Sequence, residues 1–236
     1  MLLLAIDTTT KICSAALGDS KKILAEYTLN IKNTHSKHLM PLIVSLFKDA
    51  GVDKSLLEGV VVNVGPGSFT GIRIGMAAAQ GLCQGFSIPA LGVMNLDALA
   101  EACSFFNGLV CPILDARREQ TYTALYKNGA AGPAAVENAA ALSLEELITR
   151  LDAYDEEIIF LGDGVDVFRE GLKTALGEKY REMPYSSRFN RAALVLQKGI
   201  RTWEKEGPVS SYALRPFYIR LPEAERKLRE KTREEA

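Results

Sequence analysis

The sequence predicts an α/β protein built from two similar halves. Short apolar runs typical of strands alternate with stretches whose apolar residues recur at helical spacing. An aspartate ends the first strand-like run of each half, at Asp7 and at Asp115. A Gly-x-Gly turn ends a later run of each half, beginning at Gly65 and at Gly162. Matched features at matched places indicate an internal duplication.

The first half opens with three strand-like runs at residues 2–6, 12–17 and 23–29, separated by polar turns. This pattern predicts a hairpin that continues into a third strand. A helix follows, with its apolar stripe on Leu39, Leu42, Ile43, Leu46 and Phe47. Residues 59–64 then form a buried strand that runs into the first Gly-x-Gly turn.

The second half repeats this order. Strand-like runs cover residues 109–114, 121–126 and 157–161. Between them, Ser143 and Glu146 form a capping box at the start of a helix. We therefore predict tandem ribonuclease-H-like lobes, as in the actin-like ATPase superfamily, over residues 1–105 and 106–221. A charged tail, 222–236, completes the chain.

Composition limits the functions that the chain can have. Of its 236 residues, 47% are apolar, which is enough for a real core. The 28 basic and 29 acidic residues give a formal charge of −1. No strongly basic field covers the whole protein, so any contact with RNA requires a local patch or a partner.

The cysteines and the apolar start predict a cytoplasmic protein. Cys13, Cys83, Cys103 and Cys111 include no C-x-x-C pair, so reduced and buried thiols are expected. The apolar start, residues 1–6, has no basic flank and is too short for a signal peptide or a membrane span.

The glycine-rich run at residues 65–75 permits two interpretations. Free N–H groups at the start of a helix after such a turn favour a phosphate. Alternatively, Gly71, Gly75 and Ala79 share one helix face and allow another helix to approach closely. The P-loop and Rossmann spacings are absent, so we expect helix–helix packing, within the chain or across an interface.

Several of these residues together resemble the TsaB family. They are Ala5-Ile6-Asp7-Thr8-Thr9, His35-Ser36, the whole run 65–75, Asp115-Ala116-Arg117-Arg118 with Tyr122, and Pro216-Phe217-Tyr218-Ile219-Arg220 with Glu223-Ala224-Glu225. The likeness spans nearly the full chain. It is dense to about residue 102 and thinner over 129–211.

This resemblance implies a subunit of the bacterial machinery that makes N6-threonylcarbamoyladenosine in tRNA. The expected partners are the catalytic relative TsaD, in a heterodimer, and the ATPase TsaE, with tRNA bound through the complex. The expected interface lies on two helices, the one that carries the apolar stripe from Leu39 to Phe47 and the one that begins in the glycine-rich run. These two helices could also pair two copies of the chain in a homodimer. The expected interface residues are His38, Leu42, Leu46, Gly71, Ile72, Gly75, Met76 and Ala79.

The resemblance also indicates what the chain lacks. A catalytic member carries a metal-binding His-x-x-x-His, and Asn95 and Leu99 stand at the matching positions. Leucine has no donor atom, so neither a metal nor a catalytic residue is expected. Of the two histidines, His35 and His38, one is expected to form a helix-start hydrogen bond and the other to lie at the surface or an interface.

A nucleotide site remains an alternative, with ATP or ADP bound in the complex. Asp7, Thr8 and Thr9 would hold phosphates, and Gly162, Asp163 and Gly164 would lie near the adenosine. The simpler alternative, that these threonines cap a hairpin, is the one that we favour. A stand-alone kinase or ATPase is accordingly the alternative function. The tail is expected to form an exposed helix, or to touch tRNA or TsaE through Arg226, Lys227, Arg229, Lys231 and Arg233.

Overall fold

The computed structural model describes residues 1–30 and 34–220. The predicted charged tail, 222–236, lies outside the described residues, and so do its five basic side chains. Within the described part of the chain, the strands form two five-stranded sheets.

The first sheet has the order β3-β2-β1-β4-β5. Strands β1 to β3 are antiparallel neighbours, whereas β4 and β5 run parallel to β1. Its strands are β1 (Leu3–Asp7), β2 (Ile12–Gly18), β3 (Ile23–Asn30), β4 (Gly59–Gly65) and β5 (Ala90–Met94).

The second sheet repeats the first, in the order β10-β9-β6-β7-β8. Its antiparallel and parallel pairs fall at the same places. The predicted fold class is therefore confirmed: an α/β protein with two ribonuclease-H-like lobes. Its strands are β6 (Leu109–Asp115), β7 (Gln120–Gly129), β8 (Gly132–Ser143), β9 (Ile158–Leu161) and β10 (Tyr180–Glu182).

Six α-helices occur among the described residues: α1 (His35–Ala50), α2 (Phe69–Phe86), α3 (Asn95–Ala100), α4 (Leu144–Leu151), α5 (Val165–Leu176) and α6 (Ala192–Glu206). Helix α4 begins with the predicted capping box of Ser143 and Glu146. The apolar stripe predicted on α1 packs against the first sheet together with α2. No helix in the described ranges is long and apolar enough to cross a membrane.

The last helix of each half packs against the sheet of the other half. Helix α6 covers the second face of the first sheet, where Val195 and Leu196 pack on Leu3 and Val61. Helix α3 packs in the same way against the second sheet, where Leu99 lies in the cluster of Val110 and Leu161. The boundary predicted near residue 105 separates the two sheets along the chain, but the lobes exchange these helices across it.

All four cysteines are buried and unpaired. Burial raises the pKa of Cys13 and Cys83 to about 11, and of Cys103 and Cys111 to about 12. Thiols with such pKa values stay protonated at neutral pH and are poor nucleophiles. They fill core space and supply no reactive group.

The helix exchange predicts that residues 1–105 do not fold alone, because the face of the first sheet beneath α6 would be exposed to water. We expect this fragment to show no cooperative transition in urea and to bind a hydrophobic dye. As a control, the fragment joined by a flexible linker to residues 188–206 should recover a cooperative transition. A cooperative transition of the unlinked fragment would contradict the exchange.

Candidate functional site: the junction and cleft between the lobes

The carboxylate of Asp7 lies fully buried at the end of β1, where the two lobes meet. Its Oδ1 accepts hydrogen bonds from the backbone N and the hydroxyl of Thr9, at 2.9 and 2.7 Å. Its Oδ2 accepts from the amides of Asn63 at 2.8 Å and Asn190 at 3.2 Å. The carboxylate thus receives four hydrogen bonds within the chain.

Two asparagines from exchanged parts of the chain complete this network. Asn95, at the start of α3, donates to the hydroxyl of Thr9 at 2.7 Å and to the carbonyl of Pro66 at 2.9 Å. Asn190, just before α6, donates both to Asp7 and to the side-chain oxygen of Asn95. We call Asp7, Thr9, Asn63, Asn95 and Asn190 the junction network, because it joins both lobes.

The junction network occupies the turn that was predicted to hold nucleotide phosphates. Burial raises the pKa of Asp7, and the hydrogen bonds from Thr9, Asn63 and Asn190 oppose that rise. Thr8 is also buried, and its hydroxyl donates to the carbonyl of Gly71 at 2.7 Å. These side chains are committed within the protein. Binding of ATP or ADP stays a prediction, and these contacts do not favour it at this turn.

The glycines of the run 65–75 fit against the same turn. A Cβ on Gly71 would lie 2.0 Å from the carbonyl oxygen of Thr8, and one on Gly75 would lie 2.6 Å from its hydroxyl. Both positions are therefore closed to any side chain by the end of β1. The expectation that these glycines admit another helix is wrong, since they admit the strand and turn of their own lobe.

The second Gly-x-Gly turn packs in the same way on the second lobe. A Cβ on Gly162 would lie 2.2 Å from the carbonyl oxygen of Ile113 in β6. The N–H of Gly164 donates to that same oxygen at 3.0 Å. Between them, Asp163 accepts a hydrogen bond from the N–H of Asp115 at 3.0 Å. The two glycines serve packing, and Asp163 alone of the three lines open space.

A cleft of about 500 Å³ opens between the lobes above these turns. Of the six residues predicted to bind a nucleotide, Thr9 and Asp163 line it, whereas Asp7, Thr8, Gly162 and Gly164 do not. The other lining groups come mainly from the β1–β2 turn, the β6–β7 turn, the start of α2 and the segment 217–220, with His35 from α1 and Tyr122 from β7. They include Lys11, His35, Ser68, Arg117, Tyr122, Phe217 and Arg220.

The β6–β7 turn has an unusual backbone. Arg117, Arg118 and Glu119 have φ values of 63°, 54° and 58°, the left-handed region that side chains disfavour. The N–H of Arg117 donates to the carboxylate of Asp115 at 2.8 Å, which holds this turn to the end of β6. The turn that matches Thr8–Thr10 in the first lobe therefore presents long cations to the cleft.

The segment 217–220 spans the cleft from one lobe to the other. The N–H of Phe217 donates to the carbonyl of Val64 at 2.8 Å. Tyr218 stacks on Phe69 with ring centroids 4.6 Å apart. On the other side, the guanidinium of Arg220 donates to the carbonyl of Ala116 at 3.1 Å. Residues of the run Pro216-Phe217-Tyr218-Ile219-Arg220, singled out in the sequence, thus bridge the lobes.

The predicted interface residues divide between surface and core. His38 is exposed on α1. The other seven are buried in the first lobe: Leu42, Leu46, Gly71, Ile72, Gly75, Met76 and Ala79. Their side chains are not on the surface of this chain, because they pack on its own sheet. A partner can reach the two helices only from their opposite sides.

The two positions at which a catalytic relative carries histidines have structural roles here. Asn95 belongs to the junction network, and Leu99 is buried in the core of the second lobe at 1% exposure. His35 makes a hydrogen bond, but to the β1–β2 turn and not to the helix start: its Nε2 donates to the carbonyl of Thr10 at 2.8 Å. The roles of Asn63 and Asn190 were missed, although Asn63 is a polar residue in an apolar strand.

Comparison with known proteins identifies the family. A family model described as TsaD: tRNA N6-adenosine threonylcarbamoyltransferase matches residues 22–228. A Bacillus subtilis protein named tRNA threonylcarbamoyladenosine biosynthesis protein TsaB is 34% identical over 96% of this chain and 97% of its own. The chain belongs to the TsaB family.

Two further similar proteins agree with this assignment. The Escherichia coli protein of the same name is 32% identical over 70% of this chain and 72% of its own. Among solved structures, the one named YeaZ from Pseudomonas aeruginosa is 26% identical, with a TM-score of 0.75 over 92% of this chain and 99% of that one. The predicted family is confirmed.

The junction network predicts that Asp7→Asn destabilises the protein. The new amide would place N–H groups against the donors of Thr9, Asn63 or Asn190, leaving buried polar groups without partners. We expect the free energy of unfolding, measured in urea, to fall by about 2–3 kcal/mol. The control Asp152→Asn, at an exposed helix end, should change it by less than about 0.5 kcal/mol. Equal effects of the two substitutions would contradict the role given to Asp7.

Proposed function

We propose that this chain is a non-catalytic subunit of the complex that makes N6-threonylcarbamoyladenosine in tRNA. In this proposal it binds a TsaD-like catalytic partner, which works with a TsaE-like ATPase. The observation that carries the proposal concerns Asn95 and Leu99, which stand where a catalytic relative has its metal-binding histidines. The side chain of Asn95 makes hydrogen bonds within the chain, and Leu99 is buried in the core. Neither residue is therefore available to bind a metal or a substrate.

The contacts of the candidate carboxylates also support a subunit without its own chemistry. A kinase or ATPase needs a carboxylate that can reach a magnesium ion or the attacking group. Asp7 has no exposed surface and already accepts four hydrogen bonds. Asp115 holds the N–H of Arg117 and lies near its guanidinium, 3.9 Å away. These contacts favour the subunit over a stand-alone ATPase.

The exposed sides of α1 and α2 are the surface that we assign to the partner. Met40 and Val44, one turn apart on α1, are 41% and 64% exposed. On α2, Ala77 and Gly81 are exposed one turn apart, and a Cβ on Gly81 would meet no atom within 4 Å. Exposed apolar and small side chains let a second helix pack closely. In the absence of the partner, the same surface could pair two copies of the chain.

We also propose a cytoplasmic location. The function assigned here acts on tRNA, and the four unpaired thiols suit a reducing compartment.

The partner surface is tested by Val44→Glu. A charge placed in an apolar contact lacks a partner and is costly to desolvate. We expect affinity for the TsaD-like partner, measured by calorimetry, to fall at least about ten-fold, with an unchanged melting temperature. The amount of modified nucleoside formed by the mixed proteins at limiting concentrations should fall in parallel.

The matched control is Val167→Glu on α5, where the side chain is 56% exposed. It introduces the same charge at a similar exposure on the other lobe, so it should leave partner affinity unchanged. If Val44→Glu binds the partner as tightly as this control does, the assigned surface is incorrect.

A further inference from the structure

The interlobe cleft carries a local positive charge that the chain as a whole lacks. The formal charge of the protein is −1. The cleft is lined by four basic side chains, Lys11, Arg117, Arg118 and Arg220, and by the two carboxylates of Asp115 and Asp163. Lys11 and Arg117 are close enough for their charges to act on the Asp163 carboxylate, whose pKa burial raises. The cleft therefore has more basic than acidic side chains, although the protein as a whole has 28 basic and 29 acidic residues.

Aromatic side chains lie in the wall beside these cations. Tyr122 of β7 is partly buried, and Phe217, at the start of the bridging segment, is 36% exposed. A volume of about 500 Å³ lies within the range of about 300–1,000 Å³ common for small-ligand sites. Cations beside aromatic rings are the combination that binds unpaired nucleotides, by neutralising the backbone and stacking the base.

The site suits a phosphate of low charge better than a polyphosphate. N–H groups that would cradle a polyphosphate are already used: that of Thr9 by Asp7, that of Ser68 by the carbonyl of Thr9, and that of Gly164 by Ile113. Asp115 and Asp163 would also repel the several charges of a nucleoside triphosphate. A phosphodiester carries one charge, and a carboxylate can accept a hydrogen bond from a ribose hydroxyl or a base amine.

We propose that the interlobe cleft binds one unpaired nucleotide of the tRNA, a proposal that rests on the function proposed above. Lys11 and Arg117 neutralise its phosphodiester. Tyr122 and Phe217 contact its base, and Asp163 accepts a hydrogen bond from its ribose or base. The chain then contributes directly to holding the RNA, in addition to binding the catalytic partner.

The test is photo-crosslinking of the full-length chain, alone and with its TsaD-like partner. The probe is a transcript of a tRNA that reads codons beginning with A, with 4-thiouridine in place of uridine. We expect crosslinked peptides, identified by mass spectrometry, to contain Tyr122 or Phe217. Crosslinks confined to peptides outside the cleft would overturn the proposal.

Affinity for the same tRNA gives the second measurement. Lys11→Gln with Arg117→Gln should weaken binding by about ten-fold and reduce the slope of log affinity against log salt by about one. Phe217→Leu should weaken it by about five-fold or more through lost stacking. The control, Lys21→Gln with Lys54→Gln, removes two exposed charges outside the cleft and should bind as the unaltered chain does.

Two results would overturn the proposal by affinity. One is equal tRNA binding by the two double variants. The other is ATP binding to the chain that the cleft variant abolishes and that the tRNA does not displace, which would make the cleft a free-nucleotide site. The proposed function fails separately, if the unaltered chain neither binds the TsaD-like partner nor supports modification. The crosslinks report on the cleft in either case.

Discussion

The fold depends on one buried carboxylate. Asp7 has no exposure to water, so its charge is tolerable only because donors surround it. Those donors come from the β1–β2 turn, from β4 and from Asn190, two residues before α6, and so lie far apart along the chain. A single polar group therefore fixes where the exchanged helix α6 begins and how the two lobes meet. Asn95 extends the same restraint to α3.

The junction network also fixes the geometry of the first turn, through the hydrogen bonds of Thr9 to Asp7 and Asn95. Gly67, Gly71 and Gly75 bring their backbone against this turn, so that a Cβ at any of them would lie 2.0–2.6 Å from an atom of Thr8 or Thr9. The junction network thus uses the first turn for structure. The cleft above it remains open and is bordered by long cations from the β6–β7 turn and by the bridging segment. These features agree with the two binding roles proposed above, for a partner on α1 and α2 and for an anionic ligand in the cleft.

Local patterns in the sequence were sufficient for the fold class. The duplicated aspartates, the Gly-x-Gly turns and the capping box at Ser143 all depend on residues near each other in the chain, and each lies where it was predicted. The helix exchange was not predictable in this way. The packing of α6 on the first sheet is a contact between segments that are distant in the sequence, so no local pattern indicates it. Strands β5 and β10 are five and three residues long, which is too short for a clear pattern of their own.

The site could be predicted only where it depends on local patterns in the sequence. Asp163 and Thr9 were identified from turns, whereas Asn190 becomes important only through a partner 183 positions away. The interface prediction placed contact on the apolar stripe of α1 and α2, although a stripe that is apolar enough to bind a partner is also apolar enough to be core. Burial resolves that ambiguity for residues such as Leu46 and Ile72, which lie in the core of their own lobe.

The central claim is that the chain acts by binding and performs no chemistry of its own. The most direct measurement is the rate of threonylcarbamoyladenosine formation as this chain is titrated into fixed amounts of TsaD-like and TsaE-like proteins with tRNA. If the chain acts only by binding, the rate rises with the added chain and levels off once the catalytic partner is saturated, and no product forms when that partner is omitted. Product formed by this chain without the catalytic partner, or a full rate from trace amounts of it, would contradict the account.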